Sequence, residues 1–536
     1  MGYLGNLASA FLGRPMAMLP TSGYNAASRG RRTINMGETY RGVNSLALAD
    51  GPQLLARARK SVMENGLAAN GITSFIAEVI GTGIKPHSKH SDPTKRQLLE
   101  KEFRLWCAQS SATRRIGPDG KPDSLQSFFV QQELWCRNIV EAGEAFARLR
   151  PRLPADLSPA GLRVPLQIDL IEPEQLAFWR TSATDQAPGS IVRGSIEFDA
   201  IHQRTAYHFY REHPGDSSIW PNSFEVVRVP AGSVLHGIEF SRGNQIRGIT
   251  SLAPILIQLA DLDDFSDGTR LAQKLGAYLF AWRKSLTPDD PQMAAMASVG
   301  NDTAPAGTAY VESQPGTMTM LDTAAGEEMG FYSHPGVANT YEAFMRIERQ
   351  PIAAILRNTY EMLTGDMAGV NYSSARVRLI ALRRIWEQFQ HGVMVHQFCR
   401  PIWRAWCDAA ALVGIIDAAD YRKNADEYLN VEWSGQPWDW VDPKADVESV
   451  RMEIESALTS REAVVASRGR DVEEVDAATA RDHARETKLG IVPVYGASRV
   501  TETAPAGDNA DNGIDAPSAP AAAKTPPPAP PGKKTR

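Results

Sequence analysis

Apolar residues change their spacing several times along this chain, and each change marks a boundary. From Gly51 to Ile80, "GPQLLARARKSVMENGLAANGITSFIAEVI" carries apolar residues at helical spacing. Gly66 and Gly71 interrupt it, which predicts two shorter helices. Residues 92–148 read as helical again, through "SLQSFFVQQELWCRNIVEAGEAFARL". Between Val164 and Phe240 the period falls to two. In "VPLQIDLIEP", Leu166, Ile168 and Leu170 share one face, and "GSIEFD", "TAYHFYR", "FEVVRVP" and "SVLHGIEF" follow with Pro and Gly between them. Short, mainly antiparallel strands are expected.

Helical spacing then returns. Leu252 to Trp282 predicts one long helix with Pro254 in its first turn, reaching about 45 Å. Gly268 and Gly276 weaken it without forbidding it. Residues 284–335 turn irregular, with a strand signal at "GTMTML". A second helix runs from Ala338 to Leu356, and Pro351 within it predicts a kink or a restart. A third runs from about Ser374 to Leu412, with Trp386, Phe389, Val393, Phe398, Ile402, Trp403 and Trp406 along one stripe. Pro401 cannot donate to the carbonyl of Gln397, so a bend is expected there. After the Trp-rich connector "VEWSGQPWDWVDP", Asp446 to Leu489 reads as two charged amphipathic helices split near Gly469. The fold class is therefore α+β. Residues 1–50 read as a mobile arm with a basic cluster at Arg29, Arg31 and Arg32. The Ala/Pro-rich stretch 491–536 reads as a disordered tail.

A length of 536 residues, 43% hydrophobic, allows two to four structural units. No apolar run is long enough to span a bilayer. The start lacks a basic n-region, and Asn6 stands where a myristoylation pattern wants Ser or Thr. A soluble chain, intracellular at synthesis and with no membrane partner, is expected. Cys107, Cys136, Cys399 and Cys407 show no CxxC spacing and read as small buried hydrophobes. The net charge is -5. A protein that grips DNA carries a basic excess, because each neutralised phosphate releases counterions. Either DNA is not a partner here, or it must not be held firmly.

The stretch "TGDMAGVNYSSARVRL", Thr364 to Leu379, leads a glycine-containing loop into a basic helix. It can be a phosphate cradle, a loop held against nucleic acid, or a capped turn. A phosphate loop needs Lys then Ser or Thr after its glycines, and neither is present. "GTGIKP" lacks the third glycine of a dinucleotide site. His391 and His396 are about 140° out of phase on a helix, so they do not converge on a metal. No HExxH, EF-hand or G-x-S-x-G pattern occurs. Ser373 or Ser374 is expected to cap the helix. Asp261, Asp263, Asp264 and Asp267 read as a solvated helix face. A nuclease using Asp263, Asp264 and Asp267 with Mg²⁺ is the rival enzyme reading. Helix 374–411 bears Arg376, Arg378, Arg383, Arg384, Arg400 and Arg404 against Glu387 and Asp408. These arginines either pair with acids on neighbouring segments or subunits, or face phosphates.

Placed in order, these elements resemble the lambda-family phage portal proteins over nearly all of the chain up to about residue 490. The resemblance is carried by "ENGLAANGITSFIAEVIGTGIKP", "GEAFARLRPR", "VPLQIDLIEPEQL", "SIEFD", "RGITSLAPIL" and "PGTMTMLD". It is carried most strongly by "YEMLTGDMAGVNYSSARVRLIALRRIWEQFQHGVMVHQFCRPIWRAW" with "EWSGQPWDWVDP" after it. The resemblance implies an α+β portal fold with a wing, a two-helix stem, an inserted clip and a helical crown. After the arm, it implies a wing at 51–253, stem helices at 254–283 and 336–359, and a clip at 284–335. A tunnel loop at 360–373, a long kinked helix with its connector at 374–445 and a crown at 446–490 would follow.

Such proteins form a ring of about twelve copies at one capsid vertex, so a homo-oligomer is implied. Thr364, Gly365, Asp366, Met367, Ala368, Gly369, Val370, Asn371 and Tyr372 would line the constriction of a channel for double-stranded DNA. Arg357, Arg376 and Arg378 would contact DNA or a neighbouring subunit. The implied partners are the terminase large subunit, major capsid and scaffold proteins, and head-completion or neck proteins. The implied location is the virion portal vertex, with the host bacterial cytoplasm during assembly. No enzymatic activity and no cofactor are implied. Where such proteins continue "A-A-G-L-G-V-P-Y-E", this chain has "AAILRNTYE", so Arg357 and Asn358 are expected to make that approach more polar and more basic. The alternative is another oligomeric virion or scaffold-type binding protein without a DNA channel.

Overall fold

The computed structural model describes residues 41–491 except 117–121, 154–161, 178–179, 183–185, 217–223, 279–280, 285–327, 332–339, 369, 437, 439–442, 469 and 471. Nearly all of the arm, most of the segment expected as a clip, including "GTMTML", and the tail lie outside the described residues.

The first periodic stretch forms α1 (Val43–Glu64) and α2 (Gly66–Val79). The break falls at Asn65, whose side-chain oxygen accepts the N–H groups of Leu67 and Ala68 at 2.9 and 3.0 Å. Gly71 does not break the helix. A Cβ there would lie 2.4 Å from Leu356 Cδ1 and 2.9 Å from Leu363 Cδ1, so this glycine serves close approach instead. β1 (Lys85–Ser88), α3 (Pro93–Cys107), the hairpin of β2 (Arg114–Ile116) and β3 (Pro122–Ser124), and α4 (Phe128–Ala142) follow.

Within 92–148, expected to be helical, the β2–β3 hairpin interrupts the helices and residues 144–148 open β4 (Glu144–Pro151). The cause is tertiary: β4 pairs with strands far along the chain on both edges. The period-two stretch supplies β5 (Leu166–Ile171), β6 (Ile191–Arg193), β7 (Ile196–Phe198), β8 (Arg204–Tyr210), β9 (Val226–Pro230) and β10 (Val234–Ile238). Two antiparallel sheets result, in the orders β10-β4-β5 and β6-β7-β8-β9. A small core of Phe146, Ile171, Ile196, Tyr207, Phe209 and Val234 joins them. A larger core packs Phe103, Trp106, Phe128, Trp135, Phe398 and Trp403 between helices and the β4–β5 edge.

The long helix α5 (Leu256–Tyr278) ends before Trp282. Residues 281–284 form β11 (Ala281–Lys284), which pairs antiparallel with β12 (Glu328–Phe331) and so draws together the two ends of segment 285–327. α6 (Thr340–Ile355) continues through Pro351 without a restart. The chain turns later, at Arg357, whose φ is 57°. After α7 (Tyr360–Thr364), the single helix expected to run to Leu412 is built in three parts. They are α8 (Tyr372–Phe389), a π-helical segment (Gln390–Cys399) and α9 (Arg400–Leu412), with Pro401 in the first turn of α9. Wider turns suit a chain whose proline leaves an upstream carbonyl without its usual donor. Side-chain amides stitch this segment to its neighbours. Gln397 accepts from Ile238 N–H at 2.8 Å and donates to Ile238 O at 3.0 Å, while Gln390 donates to Val79 O at 2.6 Å.

α10 (Ala418–Lys423), α11 (Ala425–Leu429) and β13 (Val431–Ser434) follow, and β13 pairs with β1. The two terminal helices expected are three: α12 (Pro443–Glu455), α13 (Arg461–Ser467) and α14 (Val472–Leu489). The extra break falls at Ala457, φ 55°, and Ser460 caps α13 by accepting Ala463 N–H at 3.0 Å. α14 lies in a separate compact unit and buries none of its residues. All four cysteines are buried, and burial pushes their thiols up, away from reactive thiolates. Among the described residues no helix is long and apolar enough to cross a membrane. Helices combine with sheets whose named strands all pair antiparallel, which makes the fold α+β.

A candidate nucleic-acid interface at the 365–371 loop

The base of this loop is pinned. Asn358, buried, donates to Gly71 O at 2.6 Å. Thr359 caps α7 by accepting Met362 N–H at 3.1 Å. Asn70 on α2 donates to the carbonyls of Met362 and Leu363 at 3.0 and 2.8 Å. Leu363 packs into the space left open by Gly71. From the other side, Trp386 Nε1 donates to Arg357 O at 3.0 Å.

Beyond that base the loop is exposed. Gly365, φ 72°, ends α7, with its N–H bonded to Glu361 O at 2.8 Å. The Thr364 hydroxyl donates to Tyr360 O at 2.8 Å and accepts Asp366 N–H at 3.2 Å. Asp366 folds the next turn: its Oδ1 accepts Ala368 N–H at 2.9 Å, and its Oδ2 pairs with Arg346 Nη2 at 3.0 Å. The Tyr360 hydroxyl reaches the same Oδ2 at 3.4 Å. The Ala368 N–H, then Arg346, hold the Asp366 carboxyl below its ordinary range. Met367 at the tip is 69% exposed, so the tip presents an apolar side chain to solvent. Val370 closes back on Met367 O at 3.4 Å, and Gly369 lies outside the described residues. The cap of α8 is Asn371, which accepts Ser374 N–H at 2.8 Å. It takes the role expected of Ser373 or Ser374, because it holds the extended backbone conformation at the helix entry. Tyr372 is the first residue of α8.

The three arginines singled out from the sequence all meet carboxylates of this chain. Arg357 pairs with Glu239 and lies over the rings of Phe75 and Phe389 at 5.5 Å each. Arg376 pairs with Asp446 at 2.8 Å, and Arg378 with Glu361 at 2.6 Å. The Arg376 and Arg378 pairings follow the first of the two readings of the basic helix, and all three offset positive charge at the loop's flanks.

Asp261, Asp263, Asp264 and Asp267 are exposed and do not gather. Asp263 accepts from Asn65 at 2.7 Å, and Asp267 pairs with Arg270 at 2.7 Å. Among the described residues the grouping with possible metal-ligand spacing is Glu172, Glu174 and His213, and there Glu174 is already held by Arg59 Nε at 2.9 Å. His391 and His396 are both exposed.

Two arrangements left no trace in the spacing of residues. One is the contact of Arg346 with the loop. The other is a buried network in which Glu144 accepts Arg247 Nε at 2.9 Å and Gly248 N–H at 2.9 Å, with His236 Nε2 at 3.2 Å. Burial works to raise the Glu144 carboxyl, but Arg247 and His236 outweigh it and bring it down to about 2. Burial holds His236 down to about 4 despite the carboxylate beside it.

A family model described as "Phage portal protein, lambda family" matches residues 29–390. A "Probable portal protein" of Halomonas phage phiHAP-1 is 25% identical over 454 residues, covering 83% of each chain. "Portal protein B" of Escherichia phage lambda is 22% identical over 185 residues, covering 33% of this chain and 34% of that protein. Among solved structures, the neck of an empty gene transfer agent particle aligns with TM-score 0.41 at 13% identity, covering 79% of this chain and 94% of that one. An HK97-family phage portal protein from Corynebacterium diphtheriae aligns with TM-score 0.27 at 11% identity, covering 64% and 86%.

Proposed function

This chain belongs to the lambda family of phage portal proteins, and on that footing we propose that it assembles into a ring of about twelve copies around a channel for double-stranded DNA. As a portal protein it is a structural component and not an enzyme. In this reading it assembles in the host bacterial cytoplasm and occupies the portal vertex of the virion, among major capsid and scaffold proteins. The terminase large subunit docks on it during packaging, and head-completion or neck proteins replace the motor afterwards. The wing is 51–253, the stem 254–283 and 336–359, the clip 284–335 and the crown 446–490.

Residues 364–372 form the channel loop. The observation that carries this assignment is the contrast within the loop: a base clamped to α2 and a tip that offers Met367 rather than a free cation. Arg357, Arg376 and Arg378 flank the DNA path or the subunit contact with their charge offset by Glu239, Asp446 and Glu361. A conduit for a moving polyanion has to touch it without gripping it, since every phosphate neutralised adds to the affinity. The chain's net charge of -5 supports the same reading.

The test is negative-stain imaging with light-scattering mass on the same sample. Rings with an axial hole and a mass about twelve times the 58.6 kDa protomer are expected. A protein that stays monomeric or dimeric even when co-expressed with its capsid neighbours overturns the ring. A closed assembly too narrow for duplex DNA would favour an interaction platform instead. Deletion of 365–370 is expected to leave rings intact while DNA packaging or retention fails; loss of assembly would count against the channel-loop assignment.

A further inference from the structure

The geometry points to Arg346 as the residue that positions the turn at Asp366–Ala368, holding it by a bond that the phosphate backbone of duplex DNA can take over. Arg346 lies on α6, outside the loop. Its Nη2 bonds both Asp366 Oδ2, at 3.0 Å, and Ala368 O, at 3.1 Å. Its guanidinium stacks over the Tyr360 ring at 5.3 Å. One side chain therefore ties the start of α7, the acid that shapes the turn and the tip backbone to the neighbouring helix.

The tie is incomplete. Arg346 Nε has no acceptor among the described residues. The Arg346 and Asp366 side chains are 38% and 34% exposed, so water screens their attraction and such pairs add little to stability. A guanidinium bonded to one carboxylate oxygen and one carbonyl is open to exchange, because two oxygens of a phosphate offer its planar fork a bidentate partner. When Arg346 turns to a phosphate, Asp366 and the Ala368 carbonyl lose their anchor, and the tip is free to move while its base stays clamped to α2. The Asp366–Ala368 turn then yields as DNA slides past and re-forms its bonds to Arg346 when it has gone. The exchange with DNA rests on the channel reading above; the positioning by Arg346 does not.

Met367→Cys supplies the probe, since the four native cysteines are buried. A maleimide nitroxide at position 367 of the full-length protein reports loop mobility. Removing the tie with Arg346→Ala is expected to raise the mobile fraction about two- to five-fold, the range set by a screened surface pair. Arg346→Lys keeps the charge without the fork and is expected to restore only part of the order. A linear duplex DNA fragment is expected to mobilise the label in the parent protein and to add nothing in Arg346→Ala. Asp366→Asn, which cuts the same bond from the other side, guards against a variant that misfolds. If neither Arg346→Ala nor Asp366→Asn moves the spectrum, Arg346 does not position the loop. If the variants free the label but DNA leaves the parent unchanged, or acts equally on Arg346→Ala, the exchange is wrong. Light-scattering mass on the same samples reports separately whether the ring exists, so failure of the ring reading is not confused with either result.

Discussion

Glu144 with Arg247 and Asp366 with Arg346 are the same chemical pairing in two different media. The first pair is buried, with Gly248, His236 and the Gly194 carbonyl satisfying its remaining donors and acceptors. The second is a third exposed and leaves a donor unused. Inside, the loss of one partner strands a charge in a medium that cannot solvate it. Outside, water replaces the lost partner. The junction of the sheets is thus locked by its ion pair, while the loop is only leaned upon by its own.

The comparison breaks most sharply at Arg247. Arg247→Met is expected to cost about 3–5 kcal/mol, read from urea unfolding, because Glu144 is left buried and unpaired. Adding Glu144→Leu to it should recover much of that loss. If the single variant is as stable as the parent, the network is not a lock.

Acid probes the same site. His236 titrates at about 4 in the fold against an ordinary 6.5, and Glu144 at about 2 against 4.5. The folded chain therefore binds fewer protons than the unfolded chain across both windows. Stability is expected to be full at neutral pH, to decline below 6.5 through His236, and to fall further below 4.5 through Glu144. A urea midpoint that stays level from pH 7 to pH 4 would contradict this.

Next in size is the clamp under the loop. Gly71→Ala places a methyl 2.4 Å from Leu356 Cδ1, and side-chain shifts there should cost about 1–3 kcal/mol. The same change should raise amide exchange at Met362 and Leu363, whose carbonyls Asn70 holds. The smallest effect is expected at Arg378→Ala. Its pair with Glu361 is on the surface, so thermal unfolding should shift by less than about 1 kcal/mol. A larger loss would mean that the flanks of the loop are as locked as its base.

Much of this could be read from the chain itself. Period-two spacing placed β5 to β10 within their stretch. Helical spacing placed α5 and α6, and the ordered motifs around the loop carried the family resemblance. These are local properties, set by how side chains alternate on a strand or recur on a helix. Ends and breaks were less legible. Asn371 and Ser374 are both good caps, and the backbone angle at the helix entry chose between them. The π segment arose where Gln390 and Gln397 bond to α2 and β10, contacts that no helical repeat encodes.

By itself, then, the sequence determined the α+β class, the stretch that holds β5 to β10, the long helices α5 and α6, and the family. Tertiary structure alone decided that residues 144–148 are strand, because strand identity there depends on β5 and β10 as partners. It also decided which charges are locked and which exchange. Glu144 and Arg247 are separated by 103 positions, and Arg346 and Asp366 by 20, so neither pairing has a period to read. The strength of each depends on its distance from water, a property of the packed chain and not of either residue's type.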